Sequence, residues 1–272
     1  MPPELEQAAQ YIRDHSILKP QIGIILGSGL GQLVGRVESP TVIPAREIPH
    51  YPESTVTGHS SSIVHGLLAE IPLFIVQGRV HYYEGFSAEK ITFIVHLMAM
   101  LGIKVIIVTC AAGAVNSRMK PGDLMLITDH INLMFFNPLG GLSVYAEERF
   151  PAMYELYTAE YFQLVDNAAR ANKINLQRGI LCATSGPCYE TAAEVRMIAC
   201  MGADAVSMST VPEVLAARQV ELEIIGLACI TNMATGISHK KLSHEEVIHT
   251  ANKVNKKFFK LIRGIIRELN RY

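Results

Sequence analysis

The sequence predicts an α/β fold: a mixed central β-sheet flanked by helices. Three observations carry this. The 272-residue chain is 49% hydrophobic and 18% charged, which excludes disorder and provides for a sizeable core. Its apolar runs are short, continuous and β-branched, as expected of strands covered on both faces. Longer stretches with helical spacing separate them, and strand–helix alternation of this kind builds a layered sheet. At roughly 150 residues per domain the length allows one large domain or two small ones. No Ser/Gly linker, repeat or low-complexity segment divides the chain, so residues 1–272 read as a single domain.

In chain order, the predicted strands are 22–26, 73–76, 104–109, 124–128, 179–182 and 224–230, each bounded by Gly, Pro or Asp or lying between helical stretches. Predicted helices span 88–101, 154–172, 191–201 and 212–221. A last helix starts at Ser243, with Glu246 three residues on as in a capping box. Val247, Ala251, Val254, Phe258, Leu261, Ile265 and Leu269 then recur at steps of four and three, which makes an apolar stripe. Its outer face carries Lys253, Lys256, Lys257, Lys260, Arg263, Arg267 and Arg271, read as a solvated face whose last residues suit the negative helix end.

With 24 Lys+Arg against 25 Asp+Glu, the net charge of -1 removes the broad attraction that nonspecific nucleic-acid binding needs. The five cysteines (Cys110, Cys182, Cys188, Cys200, Cys229) are an odd number without a CxxC pair. Paired disulfides are therefore not expected, and a reducing compartment is. The N-terminus lacks a basic region followed by an apolar core, and the longest apolar stretch, around 105–115, is too short and too broken to span a bilayer. The expectation is a cytoplasmic protein that acts on a small molecule, with neither nucleic acid nor membrane as partner.

The chemistry-bearing motifs sit at strand ends. Gly27-Ser28-Gly29-Leu30-Gly31 follows the first strand. Glycines there let backbone N–H groups approach an anion, while a tight turn closing a strand explains the same residues equally well. The spacing is GxGxG, with no Walker lysine. Arg79 and His81, two residues apart after a strand, suit a shared oxyanion; His59 is a possible third basic group. Tyr189 and Glu190 place a ring and a carboxylate side by side, a platform for a flat hydrogen-bonding ligand, although Glu190 also suits the start of the next helix. Residues 203–213 form a hydroxyl-rich crossing in which Ser209 or Thr210 is expected to cap a helix. Thr231 and Asn232 end another apolar strand. Five such termini are the pattern of an α/β active-site edge. His244-Glu245-Glu246-Val247-Ile248-His249 is not HExxH, Ser87 with Lys90 is better read as a helix cap than as a nucleophile pair, and GxSxG is absent, so no metal site is expected.

In order along the chain, these motifs, together with Asp129-His130-Ile131-Asn132 and Arg149-Phe150-Pro151-Ala152-Met153, resemble the trimeric class of purine nucleoside phosphorylases, bacterial type, over almost the whole length. The resemblance implies a nucleoside phosphorylase-like fold, a homotrimer, and reversible phosphorolysis of purine (deoxy)ribonucleosides to free base and (deoxy)ribose 1-phosphate. By it, Ser28, Arg79, His81, Ser209 and the Ala111 N–H hold phosphate, with His59 close by. Tyr83, Met208, His244 and Phe150 from a neighbouring subunit serve the ribose. Tyr189, Glu190, Thr231 and Asn232 hold the base, and Asn232, Glu190 and His81 are the catalytic set. Phosphate is a co-substrate and no cofactor is implied.

The residue types fit that chemistry. Cleaving N9–C1′ leaves an oxocarbenium-like sugar and an electron-rich purine; phosphate counters the first, and the Asn232 amide can donate to N7 and O6 as charge builds on the second. An ionised Glu190 accepts N1–H of hypoxanthine or guanine and repels the N1 lone pair of adenine, so inosine and guanosine are expected over adenosine, with xanthosine open through residues such as Thr184. Methylthioadenosine phosphorylases typically have Asp at the place of Asn232. Two other classes stand beside this one: a noncatalytic nucleoside-binding protein, which would not need Arg79 and His81 together, and a dinucleotide oxidoreductase using the Gly27 loop, against which the GxGxG spacing counts. The chain departs from the family pattern at Cys110, where relatives carry Asn, at Ser60 and Ser61, and in a shortened 137–150 segment.

Overall fold

The computed structural model describes residues 2–56, 61–140, 148–238 and 242–272, without the side chain of His244. Nine strands are found there: β1 (Ile22–Leu26), β2 (Glu38–Pro44), β3 (Ser62–Leu68), β4 (Ile71–Gln77), β5 (Val105–Ala114), β6 (Leu124–Leu133), β7 (Leu176–Thr184), β8 (Ala205–Ser207) and β9 (Glu223–Met233). They form one mixed sheet ordered β2-β3-β4-β1-β5-β8-β7-β6-β9. Because β9 also pairs in parallel with β5, the last five strands close into a ring. Six α-helices accompany them: α1 (Pro3–His15), α2 (Ala88–Met100), α3 (Glu160–Ala171), α4 (Ala192–Cys200), α5 (Val211–Gln219) and α6 (His244–Leu269).

The continuous apolar runs have the reason expected of them. Along β1, Ile25 joins the core beneath α1, α2 and α5, whereas Ile24 and Leu26 join the core beneath α3 and α6. Both faces are covered, so alternation disappears. The α6 stripe holds as predicted: Ser243 Oγ accepts from the Glu246 N–H at 3.2 Å, and Ala251, Phe258, Leu261 and Ile265 are buried, each large one contributing roughly 1.5–3 kcal/mol.

Several elements depart from expectation, α1 and β8 among them, since neither was predicted. The helix predicted at 154–172 begins at Glu160, because Leu156 and Tyr157 are drawn into the core and Thr158 exchanges hydrogen bonds with Ile224 of β9. Two strands precede β4 where none was expected. Of these, β2 is the sheet edge, mostly exposed, and carries Pro40 and Pro44, which an edge tolerates. Finally, β5, β6 and β9 run up to five residues past their apolar cores, and the extensions of β5 and β9 carry their strand ends into the site. Among the described residues no helix is long and apolar enough to cross a membrane, and no group of three His, Cys, Asp or Glu side chains is placed to hold a metal ion.

Candidate active site

One pocket opens where β1, β5, β7, β8 and β9 end. Ser28, Arg79, His81, Tyr83, Ala111, Met208 and Ser209 line it, and so do Tyr189, Glu190, Thr231 and Asn232. With Leu242 and Val247, seven separate stretches of sequence thus meet at a single cavity.

The Gly27 turn is built by packing. A Cβ on Gly27 would stand 2.7 Å from Cys110 Cα, and one on Gly29, at φ +76, would stand 2.5 Å from Ala251 Cβ. The loop is therefore held against β5 and α6, with Ser28 presented to the pocket. Beside it, Arg79 is buried in a cage of acceptors. Its Nη1 donates to Glu213 Oε1 at 3.0 Å and to Thr210 Oγ1 at 3.3 Å, and its Nη2 donates to the carbonyls of Ile25, near the end of β1, and Thr109, in the middle of β5. Glu213 is itself nearly inaccessible.

Thr210 occupies the N-cap position of α5 but does not cap it. At φ +79 and ψ -50, with the Val211 N–H donating to the Ser209 carbonyl at 3.0 Å, it centres a γ-turn of the strained, rarer hand. A β-branched residue takes that conformation only where its surroundings enforce it; here Arg79 anchors its hydroxyl. The turn leaves Ser209 on the pocket wall. Cys110 is fully buried; burial pushes its thiol up, partly offset by hydrogen bonds with the Thr210 and Ser207 hydroxyls and by the Arg79 charge.

His81 is fixed by Glu84, three residues on: Glu84 Oε1 accepts from the backbone N–H at 2.7 Å and contacts Nδ1 at 2.8 Å. Thr55 donates to the other oxygen through its N–H, at 2.6 Å, and its hydroxyl, at 2.8 Å. Burial raises the Glu84 carboxyl, but these hydrogen bonds outweigh it and bring its pKa down to about 2. An ionised carboxylate only accepts, so the Nδ1 proton faces Glu84 and the ring is oriented. Tyr83 stacks on this ring, 4.7 Å between centroids. Its phenol is pushed up to about 12 by burial and the Glu84 charge, and so stays neutral.

Across the pocket, register does the positioning. Ala112 pairs with Ile230 but Gly113 pairs with Asn232, so β9 carries one extra residue at Thr231. Such a bulge re-aims side chains, and both Thr231 and Asn232 reach the cavity. The Thr231 hydroxyl donates to Asn232 Oδ1 at 2.8 Å and Asn232 Nδ2 donates to the Met233 carbonyl at 3.2 Å, which fixes the amide and leaves its second Nδ2 proton for a ligand. Gly113 leaves room: a Cβ there would sit 3.0 Å from that nitrogen. Glu190, 9% exposed, accepts from Thr184 Oγ1 at 2.8 Å, and Tyr189 lies beside it, 39% exposed.

Phe150 does not line this pocket; it is 83% exposed, with the Arg149 guanidinium over its ring. His59, residues 141–147 of the shortened segment and the His244 side chain lie outside the described residues. Leu242 and Val247, flanking His244, do reach the cavity. Four functional partners escaped the sequence reading: Glu84, Glu213, Thr210 in its actual role, and Thr184 as a partner of Glu190. Only Glu84 left a signal, its spacing of three from His81.

A family model described as Phosphorylase superfamily matches residues 21–267, and the chain belongs to that superfamily. It is 47% identical over 266 residues to purine nucleoside phosphorylase 1 of Geobacillus stearothermophilus, covering 97% of each chain, and 44% identical over 269 residues to purine nucleoside phosphorylase 1 of Bacillus subtilis, covering 98% of this chain and 99% of that one. The crystal structure of Schistosoma mansoni purine nucleoside phosphorylase in complex with inosine superposes with a TM-score of 0.91 at 33% identity, over 97% of this chain and 95% of that one. Within the superfamily the chain thus falls among the purine nucleoside phosphorylases, which are pentosyltransferases.

Proposed function

We propose that this enzyme catalyses reversible phosphorolysis of 6-oxopurine ribonucleosides and deoxyribonucleosides, inosine and guanosine foremost, to purine base and pentose 1-phosphate. The observation that carries this is a single pocket lined by two unlike sets of side chains: Ser28, Arg79, His81 and Ser209, which this reading makes the first wall, and Glu190 and Asn232, which it makes the second. Phosphate, the co-substrate, sits against the first wall, where the Ala111 N–H adds a donor. No further cofactor enters the reaction. Tyr83 and Met208 border the sugar between the walls.

As the C1′–N9 bond breaks, the phosphate dianion faces the positive sugar and forms the new C1′–O bond. The electron pair goes to the purine, where the Asn232 Nδ2 proton not engaged by Met233 donates to the N7 and O6 edge, and Glu190 accepts N1–H. A donor placed where charge develops is worth more in the transition state than in the ground state. The exposed Phe150 side chain supports a homotrimer in which this ring completes a neighbour's ribose site, alongside His244 and, near phosphate, His59. The five free cysteines, three of them buried, support a cytoplasmic setting.

The test is a panel of inosine, guanosine, xanthosine and adenosine, each with and without phosphate, with pentose 1-phosphate measured. Inosine and guanosine should turn over only with phosphate. Turnover that persists without phosphate would mean a hydrolase, and comparable rates on adenosine and inosine would remove the assigned base preference.

A further inference from the structure

We propose that Thr184 is a specificity-determining residue that sets base preference without touching the substrate, by positioning Glu190. This rests on the reading of Glu190 as acceptor of purine N1–H. Thr184 is the last residue of β7, paired with Leu133 of β6, and so has a fixed backbone. It does not line the pocket, whereas Glu190 does. Its hydroxyl makes the one hydrogen bond to the Glu190 carboxylate among the described residues, at 2.8 Å to Oε1.

A glutamate side chain has three rotatable bonds, and a carboxylate without donors takes several orientations. The Thr184 hydroxyl counters this. It pins Oε1, leaving Oε2 and the remaining lone pairs of Oε1 for an incoming base edge. The other titratable groups against Glu190 are the Cys182 thiol, on β7, and the Tyr189 phenol. Burial and then the Glu190 charge raise both, the thiol to about 12, and Glu246 of α6 adds to the rise of Tyr189. Both stay neutral, so neither replaces the Thr184 donor with charge. An oriented carboxylate oxygen demands a donor at N1, which 6-oxopurines have and adenine lacks. A turned one loses that demand.

The experiment uses the full-length enzyme and compares T184V, which keeps the branched shape, with T184S, which keeps the hydroxyl, and with E190Q. Losing a hydrogen bond to a charged group corresponds to about a ten- to hundredfold change. T184V should lower kcat/KM for inosine and guanosine by about that factor, mainly through KM, with the phosphate KM unmoved. The inosine-to-adenosine ratio should fall with it, and T184S should restore the ratio. A wild-type ratio in T184V while E190Q loses it overturns the role of Thr184 and leaves Glu190 in place. A wild-type ratio in E190Q removes the base-edge reading itself. An equal loss on all substrates, with the phosphate KM rising too, makes Thr184 merely structural.

Discussion

The two walls of the pocket are supported by different kinds of partner. Arg79 and His81 each lean on a carboxylate, Glu213 at 3.0 Å and Glu84 at 2.8 Å. Opposite them, Glu190 and Asn232 each lean on a threonine hydroxyl, Thr184 and Thr231, both at 2.8 Å. The difference follows from what each wall meets. A wall for a dianion needs strong, well-oriented donors, and a guanidinium as buried as that of Arg79 persists only when paired. A wall for a neutral base needs groups held in orientation without added charge, which a hydroxyl does. Consequently, disturbing the first wall should damage folding and phosphate affinity together, whereas disturbing the second should damage chemistry and selectivity alone.

Arg79→Ala gives the largest effect. Removing one partner of a buried ion pair strands the other charge and typically costs about 3–5 kcal/mol, so denaturant unfolding should show a loss of that order and phosphate should no longer saturate. The double variant Arg79→Met with Glu213→Leu sharpens the contrast, because apolar replacement of both partners can recover stability. It should refold the protein without restoring phosphorolysis. Recovery of activity in the double variant would break the assignment of Arg79 to phosphate.

Asn232→Ala comes next, and on the opposite wall. Loss of one donor aimed at developing charge raises the barrier by about 2.7–4 kcal/mol. Expected here is a matching fall in kcat/KM for inosine, with the denaturation midpoint and phosphate KM close to wild type. An unchanged kcat/KM for inosine would reject the leaving-group role, and a large stability loss would show that the second wall, too, is a folding element.

How far the residues announced this depends on whether their partners are near in sequence. Strand β1 and helix α6 were legible because their apolar patterns are complete within the segment. So were Arg79, His81, Glu190 and Asn232, as polar residues just past apolar strands. Strand β2 was hidden by its exposed residues and prolines, and β8 by being three residues long. Glu213 lies 134 residues from Arg79, and no local pattern foretells such a pairing. Thr210 misled because hydroxyls before a helix usually cap it; a buried guanidinium took this one instead. The bulge at Thr231 is a property of two paired strands and cannot be read from one.

His65, on β3, supplies a third case against which the walls can be set, a buried ionisable ring with no polar partner. Among the described residues neither ring nitrogen finds a hydrogen bond, and its neighbour is the Phe74 ring at 4.8 Å. Burial lowers its pKa from 6.5 to about 4. The unfolded chain therefore takes up the proton first as pH falls. Stability from this residue is complete above pH 6.5 and drains between 6.5 and 4, by about 1.4 kcal/mol per unit, or about 2 kcal/mol at pH 5. In His65→Leu the urea-derived stability should fall less between pH 7 and 5. A slope identical to wild type would mean that the ring has a partner in solution.

Glu84→Gln carries the smallest effect and asks most directly whether the first wall needs charge or only a hydrogen bond. The amide oxygen of Gln can still accept from Nδ1–H, so the ring keeps its partner, while the negative charge is lost together with the oxygen that accepts from the Thr55 N–H. A hydrogen bond to a charged group exceeds a neutral one by roughly 1 kcal/mol, which predicts a rise of about fivefold in the phosphate KM with the inosine KM unmoved. The same substitution has a signature in acid. Since the Glu84 carboxyl titrates at about 2 rather than 4.5, its stabilising contribution is complete above pH 4.5 and is lost as pH falls towards 2. That window lies below the one set by His65, so Glu84→Gln should flatten the stability curve there while leaving the slope between pH 7 and 5 intact. If the phosphate KM does not move, the carboxylate serves only to orient the ring, and the two walls differ in burial rather than in charge.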